Sequence, residues 1–454
     1  MTKRLIAYLY EQEVGVFTQR SDKRVTFEYA TSWLQAARSG KAHALSVTLP
    51  LSSAEHDPTT VEAFIAGLLP DSIVHRRILA AELDISDDPS DFAFLSHLGR
   101  DCAGAITIIP DDQSLHSERE PSFQVLSESE LAEYIRTLPQ RPLLVDEEDG
   151  VLLSLAGVND KAAVVVVNKQ VALPHYGFPT SHILKPDISA LPESIRVEHF
   201  CLLLAKECGQ TVPHSKIVKA GDQVFMQMAR YDRMLVKKDG KDSLARLHQE
   251  DFCQALGYGP EKKYERKGGP GWKECFALMG KTENPVEATT ALLGRAIFQY
   301  LSGNPDAHAK NYSLLYRRDG STRLSPFYDL NNAAAFKTNF KSVKPLMAMA
   351  IGGEFNRDNI TPQHWETLAE ECGLSKSSAR TQLETMSRRI IEAAPRLRAA
   401  VKDTIADSSR LDVAVDDVTE RARKTLLQMK VSKQKAFKPT EPVGYVPQIE
   451  TKPG

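Results

Sequence analysis

The period of the apolar positions changes several times along the chain. RLIAYLY and VGVFTQ, hinged by EQEVG, and the segments at 23–29 and 43–49 carry the β-branched and aromatic content of strands. In PTTVEAFIAGLLP, Val61, Phe64, Ile65 and Leu68 fall at three-and-four spacing, which predicts a helix stopped by Pro70, and SIVHRRILAAEL predicts a second. SHLGRDCAGAITIIP reads as a helix end, a glycine turn and a strand, and the polar DDQSLHSEREPS that follows marks a domain boundary near 115. From about 143, LLVDEEDGVLLSLAGVNDKAAVVVV, NKQVALP and TSHILKP alternate apolar strands with polar turns, predicting a small antiparallel sheet. LPESIRVEHFCLLLAKECG reads as a helix with Cys201, Leu204 and Cys208 on one face and Gly209 as its stop, and SKIVKAGDQVFMQMARYDR returns to strands. Beyond about 245 the pattern is helical, near 249–257, 286–302, 362–371, 376–401 and 410–429, and KQKAFKPTEPVGYVPQIETKPG at the end reads as a mobile tail.

Composition narrows the function classes. Lys and Arg total 57 against 59 for Asp and Glu, so no global field draws the protein to nucleic acid or membrane. The basic segments RMLVKKDGK (233–241) and RARKTLLQMK read first as solvated faces. The six cysteines form no CxxC pair, which argues against a zinc site or a disulfide framework and fits a reducing, cytoplasmic setting. No run approaches the roughly 18 to 20 apolar residues that span a bilayer.

The chemistry concentrates in SGNPDAHAKNYSLLYRRDGSTRLSPFYDL, after an apolar helix ending near Leu301. Gly303, Asn304 and Pro305 force a loop that packs Asp306, His308, Lys310 and Asn311 together, and a strand then leads to Tyr328 and Asp329. Phosphoryl transfer to a hydroxyl needs a carboxylate to accept the proton, and an Asn and a second carboxylate to hold Mg²⁺ against ATP. The offset from Asp306 to Asn311 equals that between base and metal-ligand Asn in a protein-kinase catalytic loop, and Asp329 can be the second ligand. Asp and Asn also favour turns for their own hydrogen bonds, so the pair carries weight only with the later FYD. For phosphates, SLAGVNDK offers a small-residue loop ending in Lys161, and HILK offers a strand lysine, Lys185, with Glu198 on the next helix as an ion-pair partner.

Taken in order, LLPDS, HLGRDCAGA, SLAGVNDKAAV, SHILKP, LLLAKECG, RYDR, LHQEDFCQALG, KYERKGGPG, GNPDAHAKNYSLL and LSPFYDL resemble the HipA family of serine/threonine kinases, over about residues 3 to 430. The resemblance implies an α+β chain: an N-terminal α/β subdomain (1–115), then a kinase-like core with a β-rich lobe (116–245) and a helical lobe (246–430), and a flexible tail (431–454). It implies Asp306 as catalytic base, Asn311 and Asp329 as Mg²⁺ ligands, and Lys185 as the phosphate-pairing lysine. His308 and Tyr328 would line the ATP site, and Ala156, Gly157, Val158, Asn159, Asp160 and Lys161 would form the phosphate loop. Ala229, Arg230 and Tyr231 would be the adenine hinge, mostly through backbone groups; the family carries Glu where this chain has Ala229. Ser154 resembles the serine that family members autophosphorylate to switch themselves off.

The partners so implied are a HipB-like helix-turn-helix antitoxin, operator DNA bound through it, and a translation component as substrate, with glutamyl- or tryptophanyl-tRNA synthetase the best-known targets. Two other readings stand beside the kinase toxin. A catalytically quiet co-repressor scaffold would have lost one of Lys185, Asp306, Asn311 or Asp329, all of which are present. A small-molecule phosphotransferase shares the acidic-loop logic but leaves the other motifs and Ser154 unexplained.

Overall fold

The computed structural model describes residues 3–115, 120–145, 154–238, 241–339 and 346–436. Among them the chain is α+β, and every strand pairing is antiparallel. The first sheet runs Val25–Tyr29, Gln12–Gln19, Lys3–Leu9, Ile106–Pro110. Alternate residues of its strands, Leu5, Ala7 and Leu9 among them, are buried with Phe17, Phe27, Phe64 and Phe94 in one core, so the period-two and helical stripes read from sequence meet there.

After Pro110 the chain changes sheets. Ser122–Val125 is the edge of a six-stranded sheet that continues through Gln170–His175, Ala162–Val167, His182–Pro186, Gln223–Ala229 and Ser215–Ala220. Successive residues of the Gln223–Ala229 strand serve different cores, as strand geometry requires. Phe225 packs with Leu131 and Ile135 of the helix Glu128–Thr137, whereas Met226 joins Phe200 and Leu204 of the helix Ser194–Glu207 in the largest core. That core runs on into the helices Trp272–Met279, Pro285–Ser302, Pro362–Glu371, Lys376–Val401 and Arg410–Ala436. Set into this body is a small sheet, Gln249–Asp251, Ser313–Tyr316 and Thr322–Leu324, which carries the acidic segments.

Three expectations are corrected. The 43–49 segment is not a strand: the Trp33 indole donates to the His43 carbonyl at 2.9 Å, the Leu45 N–H to the Tyr29 hydroxyl at 2.7 Å and the Val47 N–H to Glu250 at 2.9 Å, so side chains replace a ladder. The 249–257 segment splits into a short strand and the helix Phe252–Leu256, because Asp251 caps the Gln254 N–H and starts the helix there. The last helix passes 430 and reaches Ala436, since VSKQKA holds no breaker before Pro439. The strand read across 146–153 and the tail from 437 lie outside the described residues.

The first unit and the second sheet are joined by buried charge. The Asp101 carboxylate faces Arg233 at 2.7 Å, Arg246 at 3.1 Å and Arg230 at 3.6 Å, and accepts from Thr180. Asp232 pairs with Arg230 and Arg233, both at 2.8 Å, and accepts the Gly104 N–H. Burial alone would raise both carboxyls, but the arginines hold Asp101 far below the carboxylate range and Asp232 at about 2. Removing one partner of such a set strands the rest without solvent. Asp101→Ala is therefore expected to lower the unfolding free energy in urea by about 3–5 kcal/mol, and a loss below about 1 kcal/mol would show that the network is not holding the two units together.

Candidate active site

Between the six-stranded sheet and the helical body lies a cleft lined by Ala156–Lys161, Lys185, Ala229–Asp232, Gln249, Asp251, Lys263, Asp306, His308, Lys310, Asn311, Tyr328 and Asp329. All the sequence-predicted nucleotide and metal residues meet here, although they come from segments up to 173 positions apart, Ala156 to Asp329.

The segment that carries Asp306 is set by the helix before it. Pro285–Ser302 ends at Gly303, whose φ of +70° turns the chain out, and Asn304 then caps the Asp306 N–H at 3.1 Å and donates to the Asp329 carbonyl at 3.1 Å. One asparagine thus ties both acidic segments together. Asp306 stands at the cleft mouth with its side chain 57 % exposed, and accepts a hydrogen bond from the Tyr264 hydroxyl. Desolvation by the surrounding wall, with the charge of Asp329 adding, raises its pKa above the ordinary carboxylate value. The direction suits a group that must accept a proton.

Asn311 donates its amide N–H to the Asp306 carbonyl at 2.8 Å, which leaves its amide oxygen as a hard donor in the cleft that Asp329 also lines. Asp329 has a φ of +59°, a left-handed conformation that turns its side chain into the cleft. Oxygen donors of this kind suit Mg²⁺, which keeps waters and phosphate oxygens for the remainder of its shell. Lys185 donates to Glu198 at 2.6 Å and lies 3.7 Å from Asp329. Burial opposes its charge, but Glu198 and Asp329 outweigh that and hold its pKa above the usual lysine value.

Opposite stands the 156–161 loop. Lys161 donates to the Ala156 carbonyl, closing the loop on itself, and burial together with the Lys185 charge pulls its pKa down to about 8. Gly157 has a φ of +116°, and a Cβ there would collide with the Lys161 ammonium. That φ is one L side chains rarely adopt, so the loop presents bare backbone at Gly157, which fits phosphate. At the hinge, Ala229 and Arg230 donate their N–H groups to the carbonyls of His214 and Ser181, the residues just before the neighbouring strands, and the Tyr231 N–H has no partner among the described residues. Tyr231 also stacks on Tyr328, with ring centroids 5.5 Å apart. The Arg230 side chain belongs to the buried ion network rather than to the cleft.

Burial first, then the nearby lysine charge, pulls the His308 pKa down to about 3, and its Nδ1 is buried without a hydrogen-bond partner. Ser154 is the one predicted residue that the cleft does not take in. It is fully buried at the root of the loop, with its hydroxyl donating to the Leu68 carbonyl at 2.6 Å and its N–H to the Asp101 carbonyl at 3.0 Å.

Sequence reasoning missed Asp71, Gln249, Asp251, Lys263 and Tyr264, and gave Lys310 no role. LLPDS, LHQED and KYERKGGPG hold them, but none has a spacing that announces chemistry, because each reaches the cleft by tertiary packing alone.

The chain matches known proteins over most of its length. The HipA N-terminal domain family matches residues 5–109 and the HipA-like C-terminal domain family residues 153–394. Y4mE of Sinorhizobium fredii is 35 % identical over 414 residues, covering 90 % of this chain and 95 % of that protein. The serine/threonine-protein kinase toxin HipA of Shewanella oneidensis is 29 % identical over 376 residues, 80 % of this chain and 82 % of the toxin. Among solved structures, HipA from the complex of Shewanella oneidensis HipA, HipB and operator DNA superposes with a TM-score of 0.81 at 25 % identity, over 95 % of this chain and 99 % of that one.

Proposed function

The chain belongs to the HipA family and is a HipA-like serine/threonine kinase toxin; from that premise we propose that it transfers the γ-phosphoryl group of Mg²⁺-ATP to a hydroxyl of a translation component. The observation that carries this reading is the convergence of Lys185, Asp306, Asn311 and Asp329 with the 156–161 loop in one cleft. A quiet scaffold has no need to keep that set assembled, nor the buried Lys185–Glu198 pair.

In this reading the loop amides and Lys161 hold phosphate oxygens, Lys185 pairs with them, and the Tyr231 N–H and neighbouring carbonyls read adenine. Asn311 and Asp329 would hold Mg²⁺, which neutralises charge on the phosphates. Asp306 accepts the proton of the attacking hydroxyl at its carboxylate, which the Tyr264 hydroxyl now occupies and an acceptor side chain would replace.

An aminoacyl-tRNA synthetase such as the glutamyl enzyme is the substrate that family membership favours. A HipB-like antitoxin carrying operator DNA is the neutralising partner, by analogy with the Shewanella assembly. A net charge of −2 gives the chain no overall attraction to DNA of its own. No helix among the described residues is long and apolar enough to cross a membrane.

Self-inactivation would use Ser154. Its hydroxyl must leave the Leu68 carbonyl to be phosphorylated, and a phosphate of about −2 charge cannot return to face a carbonyl in a dry site. Phosphorylation at that position would hold the loop open and remove the cradle.

Asp306→Ala is expected to lower labelled-phosphate transfer by about 10²-fold or more while Mg²⁺-ATP affinity by calorimetry stays near wild type; undiminished transfer would refute the assignment. Nucleotide phosphates should raise the pKa of Lys161, so binding near pH 8 is expected to take up protons. That uptake would appear as heats that vary with the buffer's ionisation enthalpy and would vanish in Lys161→Met. Buffer-independent heats in the wild type would contradict a phosphate-facing Lys161.

A further inference from the structure

The cleft holds one carboxylate that the N-terminal unit supplies. Asp71 sits in the turn between the helices Pro58–Ala66 and Ile73–Glu82, yet its side chain, only 8 % exposed, lies in the wall of the kinase cleft. Its Oδ2 accepts from Lys263 at 3.2 Å. Its Oδ1 lies 3.6 Å from the ammonium of Lys310 and is buried with no hydrogen-bond partner of its own. Its backbone N–H donates to the Gly157 carbonyl at 3.0 Å, inside the phosphate loop.

One residue therefore touches three parts of the machinery. Lys310 lies four positions after Asp306 in the catalytic loop, and Lys263 precedes the Tyr264 whose hydroxyl reaches Asp306. Lys310 already has a full counter-ion in Asp251 at 3.0 Å, so its burial does not require Asp71. A second buried carboxylate with an oxygen left unsatisfied is costly to keep for packing alone. Its contacts are what distinguish it: its backbone bonds to the 156–161 loop, while its carboxylate holds Lys263, beside Tyr264, and faces Lys310, in the loop that carries Asp306.

We propose that Asp71 is a positioning residue for phosphoryl transfer, holding the ammonium groups of Lys263 and Lys310 and the Gly157 carbonyl in one arrangement, so that the N-terminal unit completes the active site. The inference rests on the kinase reading. It acts through the two lysines: without the Asp71 carboxylate, Lys263 loses its hydrogen-bonded anchor and Lys310 is held from one side only. The Gly157 bond is made by backbone and survives side-chain substitution, so nucleotide binding is left largely intact.

Asp71→Asn keeps shape and removes charge, and Asp71→Glu keeps charge. With the full-length chain and Mg²⁺-ATP, Asp71→Asn is expected to lower kcat about tenfold or more with KM for ATP within about threefold, and Asp71→Glu to recover most of the loss. An unchanged kcat in Asp71→Asn, a loss confined to KM, or a glutamate variant no better than asparagine would overturn the proposal. If Asp71→Asn does not fold, Lys263→Met carries the same test, since it removes one positioned ammonium and leaves Asp71 paired with Lys310; full kcat there counts against the proposal. Absence of transfer by the wild-type chain would instead refute the kinase reading, which keeps the two failures apart.

Discussion

Ser154, Gly157 and Asp160 are each bonded to the N-terminal unit: Ser154 to Leu68 and Asp101, Gly157 to Asp71, and Asp160 to His75 at 2.9 Å. The 154–161 loop is thus shaped from outside the lobe that carries it. A loop of small residues has little apolar area to bury and a high entropic cost of ordering, so hydrogen bonds to a rigid neighbour are what give it one conformation. The neighbour is held by buried charge: Asp101 and Asp232, on opposite sides of the junction, share Arg230 and Arg233, and Asp101 also faces Arg246. The seating of the 154–161 loop depends on that junction.

Charge balance within the cleft is the second consequence. Lys161, Lys185, Lys263 and Lys310 converge there, and Glu198, Asp71, Asp251 and Asp329 answer them. Three of these lysines are ion-paired, whereas Lys161 is bonded to a carbonyl, which is why burial lowers its pKa while Lys185 and Lys310 are raised by their carboxylates. A cleft so arranged is poised for an anion: one cation already seeks a negative partner, and the rest are held in place by side chains that an incoming phosphate group can share.

The alternation of Leu5, Ala7 and Leu9, the stripe through Val61, Phe64 and Ile65, and the helix into Gly303 are local patterns, and they announced the first sheet, its covering helix and the loop that carries Asp306. Asp306, Asn311 and Asp329 were legible for the same reason, because the chemistry they suit has a fixed spacing along one segment. The loop at 43–49 was read as a strand because its composition is strand-like, and only the distant Tyr29 and Glu250 side chains decide otherwise. Asp71 and Tyr264 were invisible as site residues because their partners lie 192 and 42 positions away. The burial of Ser154 was equally hidden, since its hydroxyl is claimed by a carbonyl 86 positions earlier.

The most direct test is intact-mass and phosphopeptide analysis of the full-length chain after incubation with Mg²⁺-ATP. One added phosphate, mapped to Ser154, would show that the chain is an active kinase and that its phosphate loop can leave the Leu68 carbonyl. No added phosphate, or a phosphate at a residue outside the 154–161 loop, would contradict the account of a loop whose seating on the N-terminal unit governs activity.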